Sequence, residues 1–422
     1  MKNVFFFLLS GLLGTAAFAQ STKTIAPGKP EENGFSVERL ARIDQTLNEY
    51  VSKGNIPGAV ALIVRNGKIV YEKSFGYSDV ETKAALKNDN LFRIASQSKA
   101  ITSLAVMMLW EEGKFLLDEP ISNYIPAFKN PKVLATFNEK DSSFTTTPAK
   151  GEITIRQLLT HSSGIDYAGI GSKEMKAIYA KAGVPSGIGN NDAVLGDKIK
   201  ILGQLPLKHN PGEQWTYGLN SDVLGYLVEI ISGSSFDDFL HQRIFKPLGM
   251  NDTYFYLPKE KYSRLVSLYE TKEGKLAKAT ARVYDKVDPN YPNTTGNYFS
   301  GGAGLSSTVE DYAKFLQLFL NKGEYNGVRL LGRKTVELML TNQLQPPITN
   351  KFGLGFGLET VENDYQSPFT IGSFSWGGAF NTHYWADPKE KLIGIIFTNI
   401  YNTPHWSIGE KYKALVYQAI VN

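Results

Sequence analysis

The sequence predicts an α+β protein with a central antiparallel sheet, flanking terminal helices and an inserted α-rich domain. An early hairpin pattern covers residues 59–75, whereas residues 113–299 lose strand character and contain helical stretches joined by long polar loops. Late strand patterns return at residues 369–374, 378–386 and 392–399. A single sheet assembled from both ends of the chain, with the helical stretch beside it, accounts for this order.

The first residues have the pattern of an export signal. Lys2 precedes an apolar run at 4–13 and the small-x-small sequence Ala17-Phe18-Ala19, which predicts a cleaved signal peptide over residues 1–19. No other stretch approaches the roughly 20 apolar residues of a membrane span. We therefore expect a periplasmic or secreted protein without a stable membrane anchor, and a leader at residues 20–34 before the first helix.

Local patterns predict the next three elements. Apolar residues recur at helical spacing over 36–51, with Ser36 as the N-cap. Asn66-Gly67 separates two β-rich runs and indicates a tight hairpin, because both residues tolerate positive φ. Residues 96–110 are almost continuously apolar after Lys99, which is typical of a helix buried on most sides.

The distribution of these elements predicts two domains. Residues 35–112 and 300–422 are expected to form a discontinuous α/β domain around the sheet, and residues 113–299 an α-rich domain. The last two strands are joined by a predicted turn at 387–390 and followed by a helical pattern at 406–421. We expect the active site at the interface of the two domains.

Composition argues against several classes of partner. The net charge is +4, with acidic and basic residues interspersed, whereas nucleic-acid binding needs a concentrated basic face. The sequence contains no cysteine, which excludes disulfides, thiolate metal sites and a cysteine nucleophile. We predict no cofactor and no metal, and the expected partner is a small-molecule ester, amide or peptide substrate.

The sequence Ser96-Gln97-Ser98-Lys99 is its only Ser-x-x-Lys, and it lies at the start of the buried helix. Positions i and i+3 share a helix face, so the Lys99 amine can reach the Ser96 hydroxyl. A partly desolvated lysine is pushed towards its neutral form and can help to take the hydroxyl proton. The helix N-terminus adds positive potential and backbone N–H groups for a developing oxyanion.

The alternative is an ordinary helix start, because a Ser-x-x-Lys tetrad often arises by chance in a chain of this length. Its context favours chemistry, since a lysine in a buried helix is costly without a partner or a function. Other nucleophile and metal patterns are absent, as neither Gly-x-Ser-x-Gly nor His-Glu-x-x-His occurs. His161 is interpreted as a structural hydrogen-bonding residue, and His383 as a possible neighbour of the cleft.

Several stretches in chain order resemble the boxes of class C β-lactamases, penicillin-binding proteins and the related family VIII esterases. They are FGYSDVE at 75–81, LFRIASQSK at 91–99, LLTHSSG at 158–164, PGEQWTY at 211–217, GGAGLSS at 301–307 and WGG at 376–378. The resemblance covers the chain from about residue 35 to the C-terminus and implies a β-lactamase/D,D-peptidase-like fold.

The resemblance also implies roles for individual residues. Ser96 corresponds to the acylated nucleophile, Lys99 to its proton partner and Tyr217 to the general base. A phenol titrates near 10 in water and needs nearby cations to act as a base, and the alternative for Tyr217 is a buried structural aromatic. The backbone N–H groups of Ser96 and Ala379 correspond to the oxyanion hole.

Two departures from the family pattern concern substrate binding. Asn220 comes one residue later than the usual asparagine of the second box, so the sequence leaves open whether this candidate substrate-binding side chain points into the site. Trp376 precedes Gly377 and Gly378 where penicillin-recognising enzymes carry a lysine for the substrate carboxylate. An indole cannot provide that charge, so the pocket is expected to favour neutral acyl groups.

These features together predict an exported serine hydrolase that forms an acyl-enzyme at Ser96 and acts on carboxylic esters. The alternatives are a D,D-peptidase, a D-aminopeptidase or a weak β-lactamase with the same machinery, and a non-catalytic penicillin-binding-like protein. The loops at 130–150 and 168–200 are expected to select the substrate.

Overall fold

A computed structural model describes residues 24–284 and 287–422 of the protein. The predicted signal peptide at residues 1–19 lies outside the described residues. Within the described ranges, no helix combines the length and the hydropathy that crossing a bilayer requires.

An eight-stranded sheet at the centre of the fold joins the early and late parts of the chain. Its strands are β1 (Ala26–Pro27), β2 (Gly58–Arg65), β3 (Lys68–Asp79), β4 (Ala84–Ala85), β5 (Gly357–Leu358), β6 (Phe374–Gly378), β7 (Thr382–Asp387) and β8 (Leu392–Phe397). Across the sheet the order is β1-β3-β2-β8-β7-β6-β5, and β4 pairs with β3. The α+β class is confirmed, but the sheet is mixed, because β1 runs parallel to β3 while the other pairs are antiparallel.

Helices cover both faces of this sheet. The helices of the described residues are α1 (Val37–Ser52), α2 (Ser98–Glu111), α3 (Ile155–Leu159), α4 (Lys173–Lys181), α5 (Leu195–Gly203), α6 (Asn220–Ser232), α7 (Phe236–Leu240), α8 (Lys246–Leu248), α9 (Val309–Leu320), α10 (Arg333–Met339) and α11 (Ile408–Tyr417). The terminal helices α1 and α11 lie against one face, and α2 and α9 lie against the other.

The alternation of side chains along β2 explains why this strand is buried on both faces. Val60, Leu62 and Val64 join the core that contains α2 and α9, whereas Ala61 and Ile63 join the core beneath α1 and α11. A strand buried on both faces is apolar at successive positions instead of alternating with polar residues. The sheet is therefore a middle layer between two apolar cores.

Two local predictions agree closely with the structure. Asn66 and Gly67 both have positive φ, at 55° and 74°, and connect β2 to β3. The Ser36 hydroxyl accepts a hydrogen bond from the backbone N–H of Arg39 at 3.2 Å and caps α1. In both places the local residue type determines the backbone geometry.

Other predicted boundaries are wrong, and the insertion is less purely helical than expected. The strand predicted at 369–374 is β6 and begins only at Phe374, because the preceding residues form turns. Residues 132–148 contain an antiparallel hairpin, Lys132–Phe137 with Phe144–Pro148, where a polar loop was expected. Threonines and half-exposed apolar residues give this hairpin its strand character without a clear burial pattern.

Candidate active site

Ser96 lies in a short 3₁₀ turn, Ala95–Gln97, immediately before α2, and not on the α-helix itself as the sequence predicted. Ala95 has φ of 43°, a left-handed conformation that is strained for a residue with a β-carbon. The Ser98 hydroxyl fixes the turn, because it donates to the Ala95 carbonyl at 2.7 Å and accepts from the Leu305 N–H at 3.1 Å. The Ser96 side chain is half-buried and faces the main cleft.

The Lys99 amine is buried next to the Ser96 hydroxyl. Its Nζ lies 3.3 Å from Ser96 Oγ, 2.9 Å from the Tyr167 hydroxyl oxygen and 2.6 Å from the Gly302 carbonyl oxygen. Three acceptors around one nitrogen match the three donors of an ammonium group. The predicted contact between Lys99 and Ser96 is therefore present, and Lys99 also ties the nucleophile turn to two distant loops.

Tyr217 is brought into the same cleft but meets Lys99 through its ring. The Lys99 Nζ lies 4.5 Å from the centroid of the Tyr217 ring, a cation–π distance. The Tyr217 hydroxyl accepts a hydrogen bond of 3.4 Å from Trp376 Nε1. The phenol is half-buried and lines the cleft together with Ser96, so it can approach a substrate bound there.

Tyr167 is a second tyrosine beside Lys99, and the sequence patterns did not single it out. Its hydroxyl is the hydrogen-bond partner of Lys99, and its ring packs 5.3 Å from the Tyr217 ring. Burial raises the pKa of Tyr167 well above its ordinary value, and neighbouring Tyr217 and Asp222 act in the same direction. Tyr167 thus remains a neutral phenol. Its position three residues after the LLTHSSG box at 158–164 was the available signal.

The edge of strand β6 forms the wall of the cleft opposite Ser96. A β-carbon on Gly378 would come 2.3 Å from the Ile94 carbonyl oxygen, so only glycine lets the strand approach the nucleophile turn this closely. Ala379 follows and lines the cleft with Ser96. The oxyanion hole formed by the backbone N–H groups of Ser96 and Ala379 stays a prediction.

The cleft itself has a volume of about 440 Å³ and is lined largely by aromatic side chains. The lining includes Ser96, Ile170, Tyr217, Tyr284, Trp376 and Trp406. His383 also lines it, and burial lowers the pKa of His383 to about 4. Its Nε2 lies 2.7 Å from Asn381 Oδ1, an acceptor, which indicates a neutral imidazole with the proton on Nε2.

The Beta-lactamase family model matches residues 43–418, nearly the whole described chain. The chain belongs to the Beta-lactamase family. Protein Rv1367c of Mycobacterium tuberculosis is 31% identical over 363 residues, which cover 82% of this chain and 87% of that protein. Esterase EstB of Burkholderia gladioli is 29% identical over 381 residues, which cover 85% of this chain and 90% of EstB.

A protein of known structure has the same fold as this chain. EstCE1, described as a hydrolase with promiscuous acyltransferase activity, matches with a TM-score of 0.78 at 24% identity, covering 91% of this chain and 99% of its own. At that identity the similarity establishes the fold. The resemblance inferred from the sequence boxes is confirmed, and the protein is a serine hydrolase of the Beta-lactamase family.

Asn220, a candidate substrate-binding residue whose entry into the site the sequence left open, is not among the residues that line the cleft. Its side chain is fully buried, donates to His161 Nδ1 at 2.9 Å and accepts from the Ser163 hydroxyl. His161 in turn packs 4.9 Å from the Tyr217 ring, and burial together with Lys99 lowers its pKa well below the ordinary value. The Asn220 amide therefore belongs to a buried hydrogen-bond network behind Tyr217.

Trp376, the first residue of the WGG box at 376–378, lines the cleft. Its ring packs 5.7 Å from Tyr217 and 5.3 Å from Phe352. Gly377 and Gly378 follow Trp376 at the end of strand β6 and line the same cleft. The wall beside the nucleophile is therefore aromatic and uncharged.

Proposed function

We propose that this Beta-lactamase family member hydrolyses neutral carboxylic esters through an acyl-enzyme at Ser96. The observation that carries the proposal is the uncharged aromatic wall beside the nucleophile, formed by Trp376 and Tyr217. Glu410 and Lys413 also line the cleft, away from this wall, and the Lys413 ammonium donates two hydrogen bonds to the Glu410 carboxylate, at 2.8 and 3.0 Å, so the two charges compensate each other. A substrate carboxylate would thus lose its hydration without gaining a free cation.

The proposed reaction has two acyl-transfer steps. Ser96 Oγ attacks the ester carbonyl, its proton passes to the Lys99–Tyr217 pair, and the backbone N–H groups of Ser96 and Ala379 stabilise the oxyanion. The alcohol leaves with that proton. Water then attacks the acyl-enzyme with Tyr217 as base, which releases the carboxylic acid and restores the Ser96 hydroxyl.

The aromatic walls support a preference for small apolar acyl groups. Ile170 and Trp406 at the cleft are 55% and 47% exposed, so an apolar substrate group can cover surface that now faces water. Burial of apolar area contributes about 25 cal/mol per Å². Neutral esters gain this contribution without the desolvation cost of a charge.

Steady-state kinetics on three substrates test the proposal: p-nitrophenyl butyrate, nitrocefin and a D-Ala-D-Ala peptide. We expect the highest kcat/KM on the ester. Ser96→Ala should abolish turnover, whereas Ser52→Ala, which changes an exposed serine at the end of α1, should leave it unchanged. Higher kcat/KM on the peptide or on nitrocefin would contradict the ester assignment. Full activity of Ser96→Ala would show that Ser96 is not the nucleophile.

Export is part of the same proposal and depends on residues 1–19. The charged start at Lys2, the apolar run at 4–13 and the Ala17-Phe18-Ala19 sequence support cleavage after Ala19. Intact-mass measurement of protein recovered from the periplasm or medium should give a chain beginning at Gln20. A full-length chain confined to the cytoplasm would contradict export without affecting the hydrolase proposal.

A further inference from the structure

The carboxylate of Asp222 is a buried charge that the mechanism above does not use. Asp222 lies in the first turn of α6, five residues after Tyr217, and is 0% exposed. Among the described residues, neither of its oxygens receives a hydrogen bond of good geometry. A buried carboxylate in that condition needs a compensating charge nearby.

Lys99 is the cation that faces this carboxylate. A β-carbon built on Gly302 would lie 2.7 Å from Asp222 Oδ2, 3.3 Å from the Tyr167 hydroxyl oxygen and 3.5 Å from Lys99 Nζ. The three groups therefore surround one point, which the missing side chain of Gly302 leaves open. Lys99 already donates to the Gly302 carbonyl, so the ammonium and the carboxylate lie beside the same glycine.

The other titratable groups around Asp222 carry no competing charge. Tyr167 and Tyr298 face it from two loops, and burial raises the pKa of both phenols well above the ordinary value. Asp166, next to Tyr167, lies 3.5 Å from Lys208 Nζ and is directed to that partner. Burial raises the pKa of Asp222 itself to about 6, while Ser300, Lys99 and the Gly302 amide favour its charged form.

We infer that Asp222 is the buried counter-charge of Lys99 and that, by acting through Lys99, it sets the pH at which Ser96 becomes nucleophilic. Asp222 is in this sense a positioning residue, since it contacts neither substrate nor the reacting atoms. The inference rests on the proposed function only in taking Ser96 as the nucleophile, and it holds whether the substrate is an ester or a peptide.

The test is the pH dependence of Ser96 phosphonylation by a fluorophosphonate. In this reaction the Ser96 oxygen forms a bond to phosphorus, fluoride leaves, and the hydroxyl proton passes to the Lys99 amine. In Asp222→Asn the ammonium form of Lys99 loses its buried partner, so the free amine appears at lower pH. We expect the midpoint of the rate profile to fall by about one pH unit or more, because a nearby opposite charge in a buried site shifts a titration by about that amount.

Asp311→Asn is the matched control. Asp311 is also a buried carboxylate, on α9, but its partner is Lys314 at 2.9 Å. We expect its midpoint to equal that of the wild type. An unchanged midpoint in Asp222→Asn, even with slower labelling, would overturn the inference. Labelling without ester turnover would instead contradict only the ester assignment and leave the inference intact.

A thermal double-mutant cycle covers the case in which Asp222→Asn alone folds poorly. Lys99→Met leaves the carboxylate without its cation and should lower Tm. The double variant Lys99→Met/Asp222→Asn removes both charges and should recover part of that loss, because the remaining groups are neutral. Additive losses of Tm in the two single variants would overturn the pairing independently of any activity.

Discussion

Replacing Tyr167 by phenylalanine removes one of the three acceptors around the Lys99 ammonium. The lost hydrogen bond is 2.9 Å long and fully buried, whereas the contacts to Gly302 and Ser96 remain. A hydrogen bond to a charged group contributes about 1.5–3 kcal/mol. If the whole of that is lost in the transition state, kcat/KM falls about tenfold to about 150-fold, since each 1.36 kcal/mol is a factor of ten.

The matched change is Tyr217→Phe, which removes the phenol assigned as the base. That hydroxyl has a single long hydrogen bond, from Trp376 at 3.4 Å, and a half-buried environment. Tm should therefore stay near the wild-type value while kcat falls by about 10² to 10⁴, the usual contribution of a general base. Kinetics on p-nitrophenyl butyrate and thermal denaturation of both variants measure these effects. Abolished turnover in Tyr167→Phe with full activity in Tyr217→Phe would refute the assignment of roles.

Two further predictions concern the cleft wall. Trp376→Lys places a cation where the wall is now aromatic, so kcat/KM on nitrocefin should rise relative to p-nitrophenyl butyrate, and Trp376→Phe should leave the ratio unchanged. An unchanged ratio in the lysine variant would contradict the specificity argument. His383 binds a proton near pH 6.5 when unfolded but only near pH 4 when folded. The wild type should therefore lose about 3 kcal/mol of unfolding free energy between pH 6.5 and 4, which His383→Gln should not lose. Urea denaturation at pH 7 and pH 4 measures the difference, and equal losses in both proteins would show that His383 is not its source.

Local sequence was a reliable guide wherever one turn of chain decided the geometry. The hairpin at Asn66-Gly67 follows from the backbone freedom of two adjacent residues. The contact between Ser96 and Lys99 follows from their spacing of three residues. The strand boundaries near β6 were less predictable, because Phe369 and Ile371 alternate with polar residues as in a strand, although Ile371 is exposed in a turn.

The sequence by itself determined the family, the contact between Ser96 and Lys99, and the aromatic residue at the third box. Only the tertiary structure decided that the hydroxyl bonded to Lys99 belongs to Tyr167, 68 residues away, and that Asn220 turns towards His161. It also placed the Asp222 carboxylate beside the same lysine. Spacing within a helix turn fixes where neighbouring side chains lie, whereas groups from separate loops meet only where the path of the chain through the packed core brings them together.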